Sequence, residues 1–247
     1  MPKIKQNSIS VFFPCYNDSK TIGKLVSDTF LIVKKLTNDY EVIVIDDGST
    51  DSSRKLLKSL TKKYRKLKLV FHPKNQGYGG ALRTGFKTST KDLIFYTDGD
   101  GQYDVRELPI LWQIMSPDVD FVNGIKMTRS YSANRIIVGK LYSFLARWLF
   151  LLPIYDIDCD FRLIRKKTIE KIKLISSSGC ICVELVKKSQ VTGAKFREVS
   201  IHHYKRHWGR SQFFVPKHIS STILELLRLW LKLMVLDNIF KKRGLWK

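Results

Sequence analysis

Asp98, Asp100, Gln102 and Asp104 crowd the end of a short apolar run in "DLIFYTDGDGQYD", residues 92–104. Carboxylates this close repel, so a positive charge is expected among them. At a spacing of two, an extended backbone would point Asp98, Asp100 and Gln102 to one side. Carboxylate and amide oxygens are hard donors suited to Mg2+ or Mn2+, ions that keep waters and take further ligands from phosphates. A bound dication would relieve the repulsion. The competing reading is a solvated polar turn, because Asp-x-Asp alone carries little information.

Two further acidic clusters follow apolar runs. In "FFPCYND", Tyr16 offers a stacking or edge contact and Asp18 an acceptor, unless the stretch is a plain turn. In "VIVIDDGSTD", one of Asp46 and Asp47 can accept from a nucleoside base or ribose while the other supports the loop. Ser49 or Asp51 can also cap the following helix. Cations suited to phosphate stand at Lys126, Arg129, Arg135, Arg206 and Arg210. Arginine grips phosphate with two N–H groups and lysine acts as a point charge; the alternative for such a run is a solvated face. "NQGYGGALRTGF" fails as a dinucleotide fingerprint, because Leu82 stands where the third glycine belongs. It reads instead as a close backbone approach at a helix start.

These clusters need a frame. "SISVFF" (8–13), "YEVIVI" (40–45), "KLVF" (68–71), "DLIFY" (92–96) and "VDFV" (119–122) read as strands, alternating with helical patterns. That alternation implies a largely parallel α/β sheet with helices on both faces, and ligands bind such sheets beyond the carboxyl ends of the strands. All three acidic clusters fall at those ends, which marks the site.

The formal charge of +22 points to a polyanionic partner: nucleic acid, an anionic membrane surface or a phosphorylated substrate. Acids gathered at the strand ends argue against nucleic acid. The four scattered cysteines lack zinc-ligand spacing and read as reduced thiols. "MPKIKQNSISVFFP" contains no long apolar run of the secretory type. No window reaches the roughly 18–20 uninterrupted apolar residues of a membrane span. In the tail, 216–240, a broad apolar face (Ile219, Ile223, Leu226, Leu227, Trp230, Met234) is interrupted by Lys217, Glu225, Arg228 and Lys232. It reads as an in-plane helix drawn to anionic lipid, with the 141–152 stretch as a second apolar surface beside it, or as a helix packed on the domain.

"FFPCYND", "VIVIDDGSTD", "NQGYGGALRTGF", "TDGDGQYD", "NGIK", "DIDCDFRLIRK" and "HHYKRHWGRSQFF" come in an order and spacing that resembles family 2 glycosyltransferases, and is similar to dolichyl- and polyprenyl-phosphate sugar synthases in particular. The resemblance runs from about residue 8 to about 214. It implies a GT-A fold, Rossmann-like and three-layered, over 1–214, followed by an amphipathic membrane-interface tail over 215–247. It also implies inverting transfer of a sugar from a UDP- or GDP-linked donor to a polyprenyl or dolichyl phosphate, by a peripheral protein at the cytoplasmic face of a membrane, with homo-oligomerisation open.

Carried over by position, Pro14, Tyr16, Asp18, Ile45 and Asp47 match nucleotide contacts. Asp98, Gly99, Asp100 and Gln102 match the metal and diphosphate motif. Lys126 stands where the family has arginine, and Arg135 and Arg206 match arginines that hold phosphates. An acceptor phosphate is already largely ionised near neutral pH, its second pKa being about 6, so no general base is required. Three rivals remain: a family 2 enzyme with a saccharide or protein acceptor, an aspartyl-nucleophile phosphatase, and a basic nucleic-acid binder.

Overall fold

In a computed structural model, residues 8–127, 133–206, 208 and 216–236 are described. Seven strands form one sheet in the order β3-β2-β1-β4-β6-β5-β7. They are β1 (Ile9–Cys15), β2 (Tyr40–Asp46), β3 (Leu67–Phe71), β4 (Leu93–Thr97), β5 (Phe121–Lys126), β6 (Phe161–Arg165) and β7 (Phe196–Ile201). All neighbours run parallel except β6, which is antiparallel to both β4 and β5. The strand read at 119–122 lies two residues later, at Phe121–Lys126. Strands β6 and β7 were not foreseen. Their buried polar residue Arg162 and half-exposed pattern hide them from an apolar-run reading.

Eight α-helices are present among the described residues. On one face α1 (Ile22–Leu36), α2 (Ser53–Lys63) and α4 (Leu108–Ile114) cover a core built around Val11, Phe13, Val42 and Phe95. The other face buries Phe12, Ile43 and Tyr96 under α3 (Gly77–Thr88), α5 (Ala133–Phe150), α7 (Cys180–Val191) and α8 (Pro216–Trp230). Helix α6 is the short Lys166–Glu170. Phe12 and Phe13, adjacent in β1, serve opposite cores, as the period of two in a strand dictates. All four cysteines are buried and free.

Helix α8 belongs to the second core. Leu229 and Leu233 are buried in it, and Leu226, Trp230 and Met234 pack against it. Trp230 Nε1 donates to the Leu149 carbonyl of α5 at 2.9 Å. The domain-packed reading therefore holds for this inner face of the tail.

At the opposite edge from the acidic clusters, Glu41 ties β2 to the β4 approach. Its Oε1 accepts from Ser10 Oγ (2.6 Å) and from Thr90 N (2.7 Å), and its Oε2 pairs with Lys68 at 2.6 Å. Burial raises the Glu41 pKa, but Lys68, Ser10 and Thr90 outweigh it and bring the group down to about 2. Lys68 is 51% exposed, so solvent screens that pair and the buried bonds dominate. Because the folded pKa lies below the unfolded one, this contribution is complete above about pH 4.5 and lost as pH falls towards 2. Glu41→Gln should cost about 2 kcal/mol at pH 7 and flatten the acid limb of the stability curve in urea titrations. An unchanged acid limb would refute the assignment.

Candidate active site

The strand order sets β2, β1 and β4 side by side, so the three acidic clusters meet at one edge. Beyond β1, Asp18 Oδ2 accepts from Tyr16 N at 3.2 Å, a local turn in which Asn17 takes φ +57°. Asn17 Oδ1 in turn accepts from Thr50 N (2.8 Å) and Asp51 N (3.2 Å), tying this turn to the one beyond β2. Pro14 and Ile45 are wholly buried partners across β1 and β2, so their backbone is what they can offer a ligand.

The second cluster divides its labour. Asp46, fully buried, accepts from Arg54 Nε at 2.6 Å and Ser49 N at 3.2 Å and so supports the loop. Asp47 Oδ1 accepts from Gln76 N at 2.8 Å and meets His72 Nδ1 at 2.6 Å, while His72 Nε2 reaches Thr84 Oγ1 at 2.9 Å. Asp51 Oδ1 accepts from Ser53 N at 2.9 Å, the side-chain bond expected at the start of α2.

The third cluster is not extended. Residues 99–101 turn, with Gly101 at φ +77°, so the alternation argument for Asp98, Asp100 and Gln102 fails. Asp100 Oδ1 instead closes the turn by accepting from Gln102 N at 3.0 Å. The Gln102 amide, buried, donates to the Tyr204 carbonyl at 3.1 Å and so holds the segment that carries Arg206. At Gly99 a Cβ would sit 2.6 Å from the Pro14 carbonyl oxygen and 3.4 Å from Asp18 Oδ2. Thr21 Oγ1 donates to the Gly99 carbonyl at 2.7 Å, clamping this turn onto α1.

Arg206 supplies one positive charge among these acids. Its Nη2 lies 3.4 Å from Asp18 Oδ1 and its Nη1 lies 3.6 Å from Asp100 Oδ2. Burial pushes Asp18 up to about 6, with Asp100 adding to the rise against the Tyr16 N–H and Arg206. Burial also drives Asp98 well above the usual carboxylate range, helped by the charges of Asp160 and Asp100, although Tyr78 donates to Asp98 Oδ1 at 2.8 Å. Desolvated carboxylates that repel one another fit a divalent cation. The donor set, hard oxygens on Asp98 and Asp100, suits Mg2+ or Mn2+. Among the described residues no three His, Cys, Asp or Glu side chains are grouped so as to hold a metal ion, so an ion on Asp98 and Asp100 would need further ligands from water or phosphate.

Other expected residues fall elsewhere. The Lys126 ammonium is nearly buried, donates to the Asp158 carbonyl at 2.6 Å and lies 3.7 Å from Asp156 Oδ1. It thus braces the 156–158 loop. Arg135 is on α5 but its side chain lies outside the described residues, as do Arg129 and Arg210. The sequence reading missed Tyr78, Asp160 and Arg162. Because β6 runs against its neighbours, its start reaches the same edge and delivers Asp160, which accepts from Cys182 Sγ at 3.1 Å. Behind it the fully buried Arg162 donates to Tyr96 Oη (2.9 Å), Asn123 Oδ1 (2.9 Å) and the Ile157 carbonyl (2.6 Å). An arginine in an otherwise apolar strand, two residues after an aspartate, was the available signal. The glycines of "NQGYGGALRTGF" serve the close approach expected of them: Gly79 N donates to the Ser177 carbonyl at 2.9 Å, and a Cβ on Gly77 would come within 2.7 Å of that oxygen.

This sheet, with its antiparallel β6 and acidic edge, is the GT-A architecture of nucleotide-sugar enzymes. Glucosyl-3-phosphoglycerate synthase from Mycobacterium tuberculosis, solved with Mn2+, UDP and glucosyl-3-phosphoglycerate, superposes with a TM-score of 0.69 at 17% identity, covering 92% of this chain and 79% of that one. A mannosyltransferase from Pyrobaculum calidifontis with GDP-Man and Mn2+ gives 0.64 at 18% identity, covering 84% and 59%. Residues 10–173 match the glycosyl transferase family 2. The chain belongs to that family. Undecaprenyl-phosphate 4-deoxy-4-formamido-L-arabinose transferase of Yersinia enterocolitica is 26% identical over 219 residues, 88% of this chain. The Yersinia pestis protein of the same description is 24% identical over 86% of this chain. The chain spans 65% and 64% of the lengths of these two curated relatives.

Proposed function

We propose that this protein transfers a sugar, with inversion, from a UDP- or GDP-sugar to a polyprenyl phosphate at a membrane surface. The observation that carries the reading is the meeting of Asp18, Asp98, Asp100 and Arg206 at the ends of β1 and β4 in a family 2 chain. Asp98 and Asp100 would hold a Mg2+ or Mn2+ ion, which when bound supplies charge to take up the negative charge growing on the departing nucleoside diphosphate. Asp47 and Tyr16 flank the nucleoside end. Gln102 holds the Tyr204 backbone and thereby sets Arg206 where phosphate oxygens would lie. Arg135 is proposed to add positive charge on the acceptor phosphate. The acceptor phosphate needs no proton removed, so positioning is the main task left to the protein.

For the acceptor, the relatives' names and the outer faces of α5 and α8 support a lipid. Leu141, Phe144, Leu145 and Trp148 stand exposed at helical spacing on α5, Trp148 by 69% and Phe144 by 66%, and Leu224, Leu227 and Leu231 on α8 and its continuation. Arg228 and Lys232 lie beside the second row, a charge suited to anionic headgroups. Among the described residues no helix is long and apolar enough to cross a membrane. In this reading the segment after 214 is anchored on the catalytic unit by its inner face and meets lipid with its outer one.

The test is transfer itself. Labelled UDP- and GDP-sugars, Mg2+ or Mn2+, and a polyprenyl phosphate in vesicles with or without anionic lipid should yield a labelled glycolipid, faster on anionic vesicles. Trp148→Glu should weaken vesicle binding several-fold while donor binding stays unchanged. Transfer only to a soluble saccharide would overturn the lipid acceptor. Release of free phosphate without sugar transfer would overturn glycosyl transfer.

A further inference from the structure

We infer that Glu225, on α8, is a positioning residue for Asp98, acting through the 175–178 segment and Tyr78. The inference rests on the proposed reading only in taking Asp98 as a donor-site ligand.

Four successive backbone amides are held by two carboxylates. Glu184 of α7 accepts from Ile175 N at 3.0 Å and Ser176 N at 2.8 Å. Glu225 accepts from Ser177 N at 2.8 Å and Ser178 N at 3.3 Å. On its other edge the same segment grips the start of α3. The Ser177 carbonyl accepts from Gly79 N at 2.9 Å, and Arg83 donates to the carbonyls of Ile175 and Ser176. Gly77 and Gly79 have no side chain because none fits against Ser176 and Ser177. Between these two glycines stands Tyr78, whose hydroxyl donates to Asp98 Oδ1 at 2.8 Å.

The path from α8 to the acidic edge is therefore short and made of hydrogen bonds: Glu225, Ser177, the Gly77–Gly79 backbone, Tyr78, Asp98. The Ser177 carbonyl and the Ser178 N–H belong to one planar peptide unit, so the carboxylate that holds this N–H also sets the tilt of that carbonyl. Without Glu225 two amides lose their acceptor, the Ser177 carbonyl is freed to tilt, and the Tyr78 hydroxyl moves off Asp98. The helix that bears an exposed apolar face is thus the one that braces the donor site.

A double-mutant cycle between Glu225→Ala and Tyr78→Phe tests this, read by Mn2+ affinity in the presence of UDP, by kcat and KM for donor, and by Tm. Glu225→Ala should weaken Mn2+ binding about fivefold in the wild-type background and less than about twofold in Tyr78→Phe, the size of a contact-range coupling. Glu225→Gln, which keeps one acceptor, should restore part of the affinity. Fluorotyrosine at position 78 gives a readout that needs no metal: its 19F resonance should shift in Glu225→Ala and return towards wild type in Glu225→Gln. Additive effects, or a lowered Tm with unchanged Mn2+ affinity and 19F position, would overturn the relay. If Glu225→Ala does not fold, the cycle is run with Glu225→Gln. Failure of the wild type to bind Mn2+ or any nucleotide would sink the transfer reading, while the 19F comparison would still decide the relay.

Discussion

Asp100→Ala is expected to abolish the proposed sugar transfer, with kcat reduced at least about a hundredfold and Mn2+ binding in the presence of UDP lost with it. The magnitude follows from removing one preorganised partner of transition-state charge, typically worth 10²–10³ in rate. Asp100 has two jobs that the substitution ends together. Its Oδ1 closes the 99–102 turn, and its Oδ2 faces Arg206 at 3.6 Å. Asp100→Asn separates them, since an amide oxygen can still accept from Gln102 N while the charge is gone. If charge is what matters, the asparagine variant folds with an unchanged Tm and is nearly as inactive as alanine. Near-normal transfer by either variant would refute the metal assignment.

Arg206→Ala is expected to lower kcat by about two orders of magnitude, within the range for loss of a charged group that binds transferring phosphate, while Mn2+ affinity measured without donor should rise. The opposite signs come from the geometry. Arg206 is the cation that Asp18 and Asp100 share, at 3.4 and 3.6 Å, and a metal bound at those acids competes with it. Removing it takes away a competitor, which should favour a dication, and also takes a positive group from where the leaving diphosphate is proposed to lie. Arg206→Lys keeps charge without the planar fork and should recover only part of the rate. Mn2+ titrations followed by electron paramagnetic resonance, beside steady-state kinetics, check both signs. A parallel fall in kcat and metal affinity would mean that Arg206 merely supports the fold.

How much of this was legible beforehand varies with the physics of each element. Strands buried on both faces, such as "YEVIVI", announce themselves as apolar runs, so β1, β2 and β4 and the edge on which their acids converge were readable. Strand β6 was not, because its buried Arg162 is solvated by Tyr96, Asn123 and a carbonyl that only the fold brings together. The acidic motif itself was located but its geometry was misread. Gly101, at φ +77°, and the Asp100–Gln102 bond turn the chain where a strand-like alternation had been assumed. The tail shows a third kind of limit. Amphipathicity identifies the apolar face of Leu226, Trp230 and Met234 but not its neighbour, and here that neighbour is the domain core. Leu227, by contrast, points outward.

The bare backbone at residue 99 has an implication for any survey of this site by substitution. With the Pro14 oxygen 2.6 Å from where a methyl would grow and Asp18 just behind it, the tips of β1 and β4 touch main chain to main chain. They therefore behave as a single jaw, which the Thr21 hydroxyl also holds through the Gly99 carbonyl. An alanine placed there would wedge the jaw apart and is expected to silence the protein as thoroughly as Asp100→Ala, yet the residue brings no side-chain chemistry of its own.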